Sequence, residues 1–205
     1  MTRYISDLHF GHKNIIRYDN RPFDSVLTMD EAMVELWNET VSDKDTVYIL
    51  GDVIWQANIK HWEAVLNALK GKKFIVKGNH DEKDTLNKLE KTGVIEGWAH
   101  QYVVADNGNK VVLNHSPMPF FVNQHHEHYA HLYGHVHVSY DYNMVLSMQK
   151  AIEDLYQHPI RMYNVGAMLP YINYMPKTLK EIEEGYKQFK AENLKFVKKY
   201  GERRG

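Results

Sequence analysis

The chain has no cysteine among its 205 residues. That excludes disulfide staples and thiolate metal sites, fits a reducing compartment, and leaves nitrogen and oxygen as the only metal donors. No apolar run approaches the ~20 residues that cross a bilayer. The first motif starts at Asp7, which leaves no room ahead of it for a removable signal peptide. The expectation is a cytoplasmic protein with no membrane partner. An excess of one charge is also missing: 25 Lys and Arg stand against 26 Asp and Glu, for a net charge of −1. No global basic field points to nucleic acid or a membrane surface. There is no internal repeat, no low-complexity tract and no signal of an oligomeric state. At this length, with 43% hydrophobic and 25% charged residues, the chain fits one globular domain with a substantial core.

Histidine is what the chain has in excess. There are 13, and most of the later ones crowd between His100 and His137. Their placement against the apolar runs decides what they mean. Arg3 to Ser6, Thr46 to Leu50, Lys73 to Lys77, Gln101 to Ala105, Lys110 to Leu113, Ala130 to Tyr133 and Arg161 to Gly166 read as strands, and Asp106-Asn107-Gly108-Asn109 as a hairpin turn. Helices are expected over Thr28 to Val41, Asn58 to Lys70, Asp84 to Thr92 and Tyr142 to Tyr156, with another beginning at Thr178. Thr28 with Glu31, and Thr178 with Glu181, have capping-box spacing. In the fourth helix Val145, Met148, Ile152 and Leu155 trace the apolar face. Strand, helix and strand alternate in the first half, which predicts parallel strands with right-handed crossovers.

Five polar clusters each follow a strand-like run: Asp7 with His9, Asp52, Asn79 with His80, His115, and His135 with His137. Ligands of open α/β sheets gather beyond the carboxyl ends of the strands, so these residues can converge. Taken singly, His115 reads equally well as a core histidine and Asp52 as a helix cap. Together they supply two carboxylates, one amide and five imidazoles. Two divalent cations ~3.5–4 Å apart can hold the attacking and leaving oxygens of a displacement at phosphorus. A carboxylate between them offsets their repulsion, and a hydroxide they share is a nucleophile at neutral pH. A sulfur-free set of nitrogen and oxygen donors suits manganese first, with iron, zinc or nickel as alternatives, better than calcium.

In this order, Asp-x-His, Gly-Asp, Gly-Asn-His-Asp, a later His and Gly-His-x-His resemble the calcineurin-like metallophosphoesterase superfamily. Ser6 to Ile15 and Asn164-Val165-Gly166 look like its small bacterial and phage members. The resemblance covers residues 1–176, leaving 177–205 as a C-terminal helix. It implies a four-layer αββα sandwich of two mixed sheets flanked by helices, with a dinuclear metal site at the strand ends. Asp7, His9 and His137 would hold one metal and Asn79, His115 and His135 the other, with Asp52 bridging. His80 would bind no metal but protonate the leaving oxygen as general acid.

One departure is informative. Protein phosphatases of that superfamily continue Gly-Asp into a further Asp and Arg, and here the continuation is Val53-Ile54-Trp55-Gln56. This argues against a protein phosphatase and leaves His80 without an assigned partner; Asp81 reads better as a turn cap. His12, Lys13, Arg17 and Arg21 are candidate phosphate contacts, the last three equally well a solvated loop, and Ser139 to His158 reads as a packed extra helix rather than a lid. The function expected is hydrolysis of a small phosphate ester, a diester before a monoester. A nucleic-acid substrate is the less favoured alternative, drawn from the basic residues Lys195 to Arg204. A scaffold that keeps the fold without catalysis is the alternative from another class.

Overall fold

The computed structural model of the protein describes residues 1–56 and 58–192. The basic stretch from Lys195 to Arg204 lies outside the described residues. The elements in order are β1 (Thr2–Ile5), α1 (Ile15–Tyr18), α2 (Val26–Thr40), β2 (Thr46–Ile49), α3 (Ile59–Ala68), β3 (Lys72–Val76), α4 (Lys83–Lys91), β4 (Gly97–Ala99), β5 (Gln101–Asp106), β6 (Asn109–Asn114), β7 (Tyr129–Tyr133), α5 (Tyr140–Tyr156), β8 (Met162–Asn164) and α6 (Leu179–Glu192). They form a mixed α/β protein with two four-stranded sheets, β1-β2-β3-β4 and β5-β6-β7-β8. Among the described residues no helix is long and apolar enough to cross a membrane.

Two mixed sheets were expected, but only the second is mixed. It joins β5 and β6 as an antiparallel hairpin and continues in parallel through β7 and β8. The first is parallel throughout, because a helical crossover after each of β1, β2 and β3 returns the chain to the same end. In-register pairing places Tyr4, Tyr48 and Phe74 side by side, with rings stacked at 6.0 and 5.2 Å. Tyr102 of β5 packs edge-on against Tyr48 and Phe74, so this face of the first sheet meets the second. The next register row, Ile5, Ile49 and Ile75, points the other way and is fully buried. At the ends of β1 and β8 the Ser6 amide donates to Val165 O and the Ala167 amide to Ser6 O, 2.9 and 2.8 Å. That parallel bridge brings the carboxyl ends of both sheets together.

The helices differ from expectation at their edges. Ser25, not Thr28, caps α2: Ser25 Oγ accepts from the Thr28 amide at 3.2 Å, and Thr28 Oγ1 accepts from the Ser25 amide at 3.1 Å. Thr28 thus closes an earlier box than the one it was expected to open with Glu31. The second predicted box holds, with Thr178 Oγ1 accepting from the Glu181 amide at 3.3 Å and Glu181 accepting from the Thr178 amide at 2.8 Å. On α5 the buried residues are Tyr142, Val145, Gln149 and Ile152, whereas Met148 and Leu155 are 43% and 77% exposed. Gln149 turns inward because its amide donates to Ile160 O at 2.9 Å. The segment is a packed helix. Its Ser139 and Asp141 form part of the rim of a cleft.

Candidate metal centre

The five clusters do lie at strand ends. Asp7 and His9 follow β1, Asp52 follows β2, Asn79 and His80 follow β3, His115 follows β6, and His135 and His137 follow β7. Asp7, His9, Asp52, His135 and His137 all have left-handed backbones, φ 55°, 53°, 52°, 70° and 47°. A non-glycine residue in that region costs about 1 kcal/mol or more, and such strain collects at functional sites. Close backbone approach demands glycine beside them. A Cβ on Gly134 would run into the Ser6 side chain and the Asp7 carboxylate, and one on Gly51 into the Gly78 backbone and the His115 ring.

Asp7, His9, Asp52 and His137 form a largely buried group whose donor atoms all lie within 4.8 Å of one another, and they can hold a metal ion. His9 Nε2 stands 3.2 Å from His137 Nε2 and 3.7 Å from Asp52 Oδ2, and His137 Nε2 lies 3.7 Å from Asp7 Oδ1. Ligands at ~2.1 Å around a tetrahedral ion are separated by about 3.4 Å, so the spacing suits a shared cation. His9 also keeps a buried Nδ1 with no hydrogen-bond partner while its Nε2 faces the group. Burial, then the neighbouring His137 and Arg21, push the His9 pKa far down, which keeps the ring neutral and able to coordinate.

A second cluster adjoins the first. Asn79 turns its carbonyl oxygen to two rings at once, 2.8 Å from His115 Nε2 and 2.9 Å from His135 Nδ1. His115 Nδ1 lies 2.7 Å from Leu50 O, and a carbonyl can only accept. Nδ1 therefore carries a proton, and Nε2 is turned toward the Asn79 side chain. Asp52 Oδ2 sits between the clusters, 3.7 Å from His9 and 3.5 Å from His115. Asp52 Oδ1 accepts from the His80 amide at 2.9 Å.

His80 and Asn79 are exposed, and His80 lines a cleft of about 690 Å³ together with His9, His12, Trp55, His135 and His137 among others. His12 belongs to that lining, but the residue is 7% exposed and its ring is stacked flat on Trp55 at 3.9 Å. Arg21 corrects its expected role. Its side chain is fully buried against Asp19 and donates to Leu8 O and Asp7 O, each at 2.8 Å, so it braces the Asp7 backbone and is not a phosphate contact. Asp81 is a backbone cap, as expected, and a far-reaching one. Its carboxylate accepts from the amides of Gly78, Asp52 and Val53 at 2.8, 2.9 and 3.1 Å. It thereby ties the turn after β3 to the turn after β2.

Two residues escaped the sequence reading. Asp19 accepts from His137 Nδ1 at 2.8 Å and from Arg21 at 3.0 Å. Burial would raise the Asp19 pKa, but the bond to His137 and the Arg21 charge hold it below the usual carboxylate range. Burial likewise opposes charge on His137, yet Asp7 and Asp19 outweigh it and raise that pKa. The other is Trp55, beside His80, His9 and His12. Asn164 also braces the site, its amide donating to His137 O at 3.3 Å.

No protein-family model matches the chain. Over 114 residues it is 42% identical to an uncharacterized protein of Methanocaldococcus jannaschii, covering 55% of this chain and 57% of that protein. Over 89 residues it is 33% identical to the Gene 66 protein of Mycobacterium phage L5, covering 42% of each. The chain thus spans about half the length of the curated relatives it matches. Among solved structures it resembles a protein of unknown function, AQ665 from Aquifex aeolicus, with a TM-score of 0.59 at 21% identity over 90% of this chain and 98% of that one. At that identity the likeness is one of fold.

Proposed function

We propose that the protein is a dinuclear metal-dependent phosphoesterase of the calcineurin-like metallophosphoesterase superfamily, built as a four-layer αββα sandwich and acting on small phosphate esters, diesters before monoesters. The observation that carries this reading is the position of Asp52 Oδ2 between two donor clusters, 3.7 Å from His9 Nε2 and 3.5 Å from His115 Nε2. Asp7, His9 and His137 would hold one divalent ion and Asn79, His115 and His135 the other, manganese before iron, zinc or nickel. When bound, such a pair supplies a water of lowered pKa as nucleophile and offsets the charge of the phosphoryl oxygens.

The chain's own residues do the rest. Asp19 holds His137 through Nδ1 and Leu50 O holds His115 through Nδ1, which aims both Nε2 atoms at the centre. Asp81 and the His80 amide lock the Asp52 turn. His80, exposed at the cleft, would donate a proton to the leaving oxygen. Among the described residues no arginine lines the cleft to clamp a dianionic monoester, which favours a diester.

The test is manganese-dependent hydrolysis of bis(p-nitrophenyl) phosphate beside p-nitrophenyl phosphate by the wild type, His80→Ala and Asp52→Asn. Turnover of the diester that collapses in Asp52→Asn supports the proposal. Undiminished turnover in that variant contradicts it, and full metal loading with no turnover of any ester points to a scaffold.

A further inference from the structure

Among the described residues no carboxylate orients the His80 ring. Among the described residues its ring makes no hydrogen bond or ion pair; only its backbone amide is engaged, donating to Asp52 Oδ1 at 2.9 Å. Asp81, the next residue, is turned inward on three backbone amides. The His80 ring meets Trp55 most closely, with ring centroids 4.8 Å apart and planes inclined at 58°, and stands edge-on to the His9 ring at 5.8 Å.

Trp55 is itself held from several sides. Its amide donates to Phe10 O at 2.9 Å, in continuation of the Phe10–Ile54 bridge between the segments after β1 and β2. Its indole carries the His12 ring flat on one face, 3.9 Å away and 6° from parallel. His12 is 7% exposed, and its amide is anchored to His9 O at 3.1 Å. The stack therefore reaches from the loop of the His9 ligand, across the Asp52 loop, to the ring of His80. An aromatic wall of this kind restricts a neighbouring imidazole by contact and shape, without the directional hydrogen bond that a carboxylate gives.

We propose that Trp55, backed by His12, is the positioning residue of His80, and that it does by packing what a carboxylate would do by hydrogen bonding. This rests on the role of His80 as general acid. General acid catalysis matters in proportion to how poor the leaving group is, so losing the wall should cost little with a good leaving group and much with a poor one.

The experiment compares manganese-loaded wild type, Trp55→Ala, Trp55→Phe, His80→Ala and the double variant on methyl aryl phosphate diesters whose leaving groups run from p-nitrophenol to phenol. The expected deficit of Trp55→Ala is small for p-nitrophenol and grows to about 100-fold for phenol. Trp55→Phe restores most of it, and the double variant is no slower than His80→Ala. A second readout needs no metal. In NMR spectra of the metal-free protein the His80 ring protons should carry a ring-current shift, retained in Trp55→Phe and lost in Trp55→Ala. A deficit equal for all leaving groups, or unshifted His80 ring protons in the wild type, overturns the proposal. If His80→Ala itself shows no dependence on leaving group, the general-acid role fails first, and that failure is distinct from a failure of Trp55.

Discussion

The two donor clusters beside Asp52 are unlike in depth and in support. Asp7 and His9 are 0% and 2% exposed, whereas Asn79 and His135 are exposed. The inner cluster is braced by charged side chains: Asp19 holds His137, and Arg21 holds both Asp19 and the Asp7 backbone. The outer cluster is braced through backbone groups: Leu50 O stands behind His115 Nδ1, the His135 amide donates to the Asp7 carboxylate at 3.1 Å, and Asp81 accepts from the Gly78 amide beside Asn79. On the function proposed above, the inner site is built before an ion arrives, and both clusters reach the cleft, the inner through His9 and His137 and the outer through His135. On this view the ions differ in affinity, and Asp52 is what the two sites share.

Asp52→Asn should have the largest effect on that pairing. Loss of an outer-sphere partner costs 10–100-fold, so loss of the shared ligand's charge should lower turnover by more than about 100-fold. Metal analysis after dialysis should show fewer than two ions per chain. A variant that lost one ion and kept the other untouched would assign Asp52 to a single cluster. Next is Asp19→Ala, expected to weaken manganese at the inner cluster by about 10–100-fold while the outer affinity changes little. Calorimetric titration reads the two sites separately, and equal weakening of both would erase the distinction.

Acid should separate the clusters as well. The His137 pKa is raised, with Asp7 and Asp19 overcoming burial, so below it a proton must leave before an ion can bind. Inner affinity should then fall about tenfold per pH unit. The His135 pKa is lowered by burial and then by His115, and that ring competes with the ion only at lower pH. Titrations between pH 8 and pH 5.5 should show the inner slope appearing first. The smallest effect is expected of Asn79→Asp, which replaces a neutral oxygen donor with a charged one and should tighten the outer site by about fivefold. Weaker binding there would mean that Asn79 presents its amino group to the two rings.

The convergence of Asp7, His9, Asp52, Asn79, His115, His135 and His137 was legible because each stands just after a strand, where sequence order and spatial convergence coincide. Asp19 was not, since it acts through His137, which is 118 residues away and reachable only once the sheets are assembled. Arg21 was misread for a related reason: a cation in a loop after a motif looks solvated until the fold turns it inward onto Leu8 O and Asp7 O. Trp55 was noted only as the absence of a phosphatase continuation. Its value lies in a stack with His12 and His80 that no spacing rule encodes. Short elements escaped too, β4 with three residues and α1 with four, because neither is long enough to show a period. The α5 face was misjudged through Gln149, which the apolar pattern skips and the Ile160 carbonyl draws inward.

The most direct test is anomalous diffraction from crystals grown with manganese. Two peaks about 3.5–4 Å apart, one on each side of Asp52 Oδ2 and ligated by Asp7, His9 and His137 on the one hand and Asn79, His115 and His135 on the other, are predicted. A single peak at the inner cluster at saturating manganese, or a pair that Asp52 does not bridge, would contradict the account.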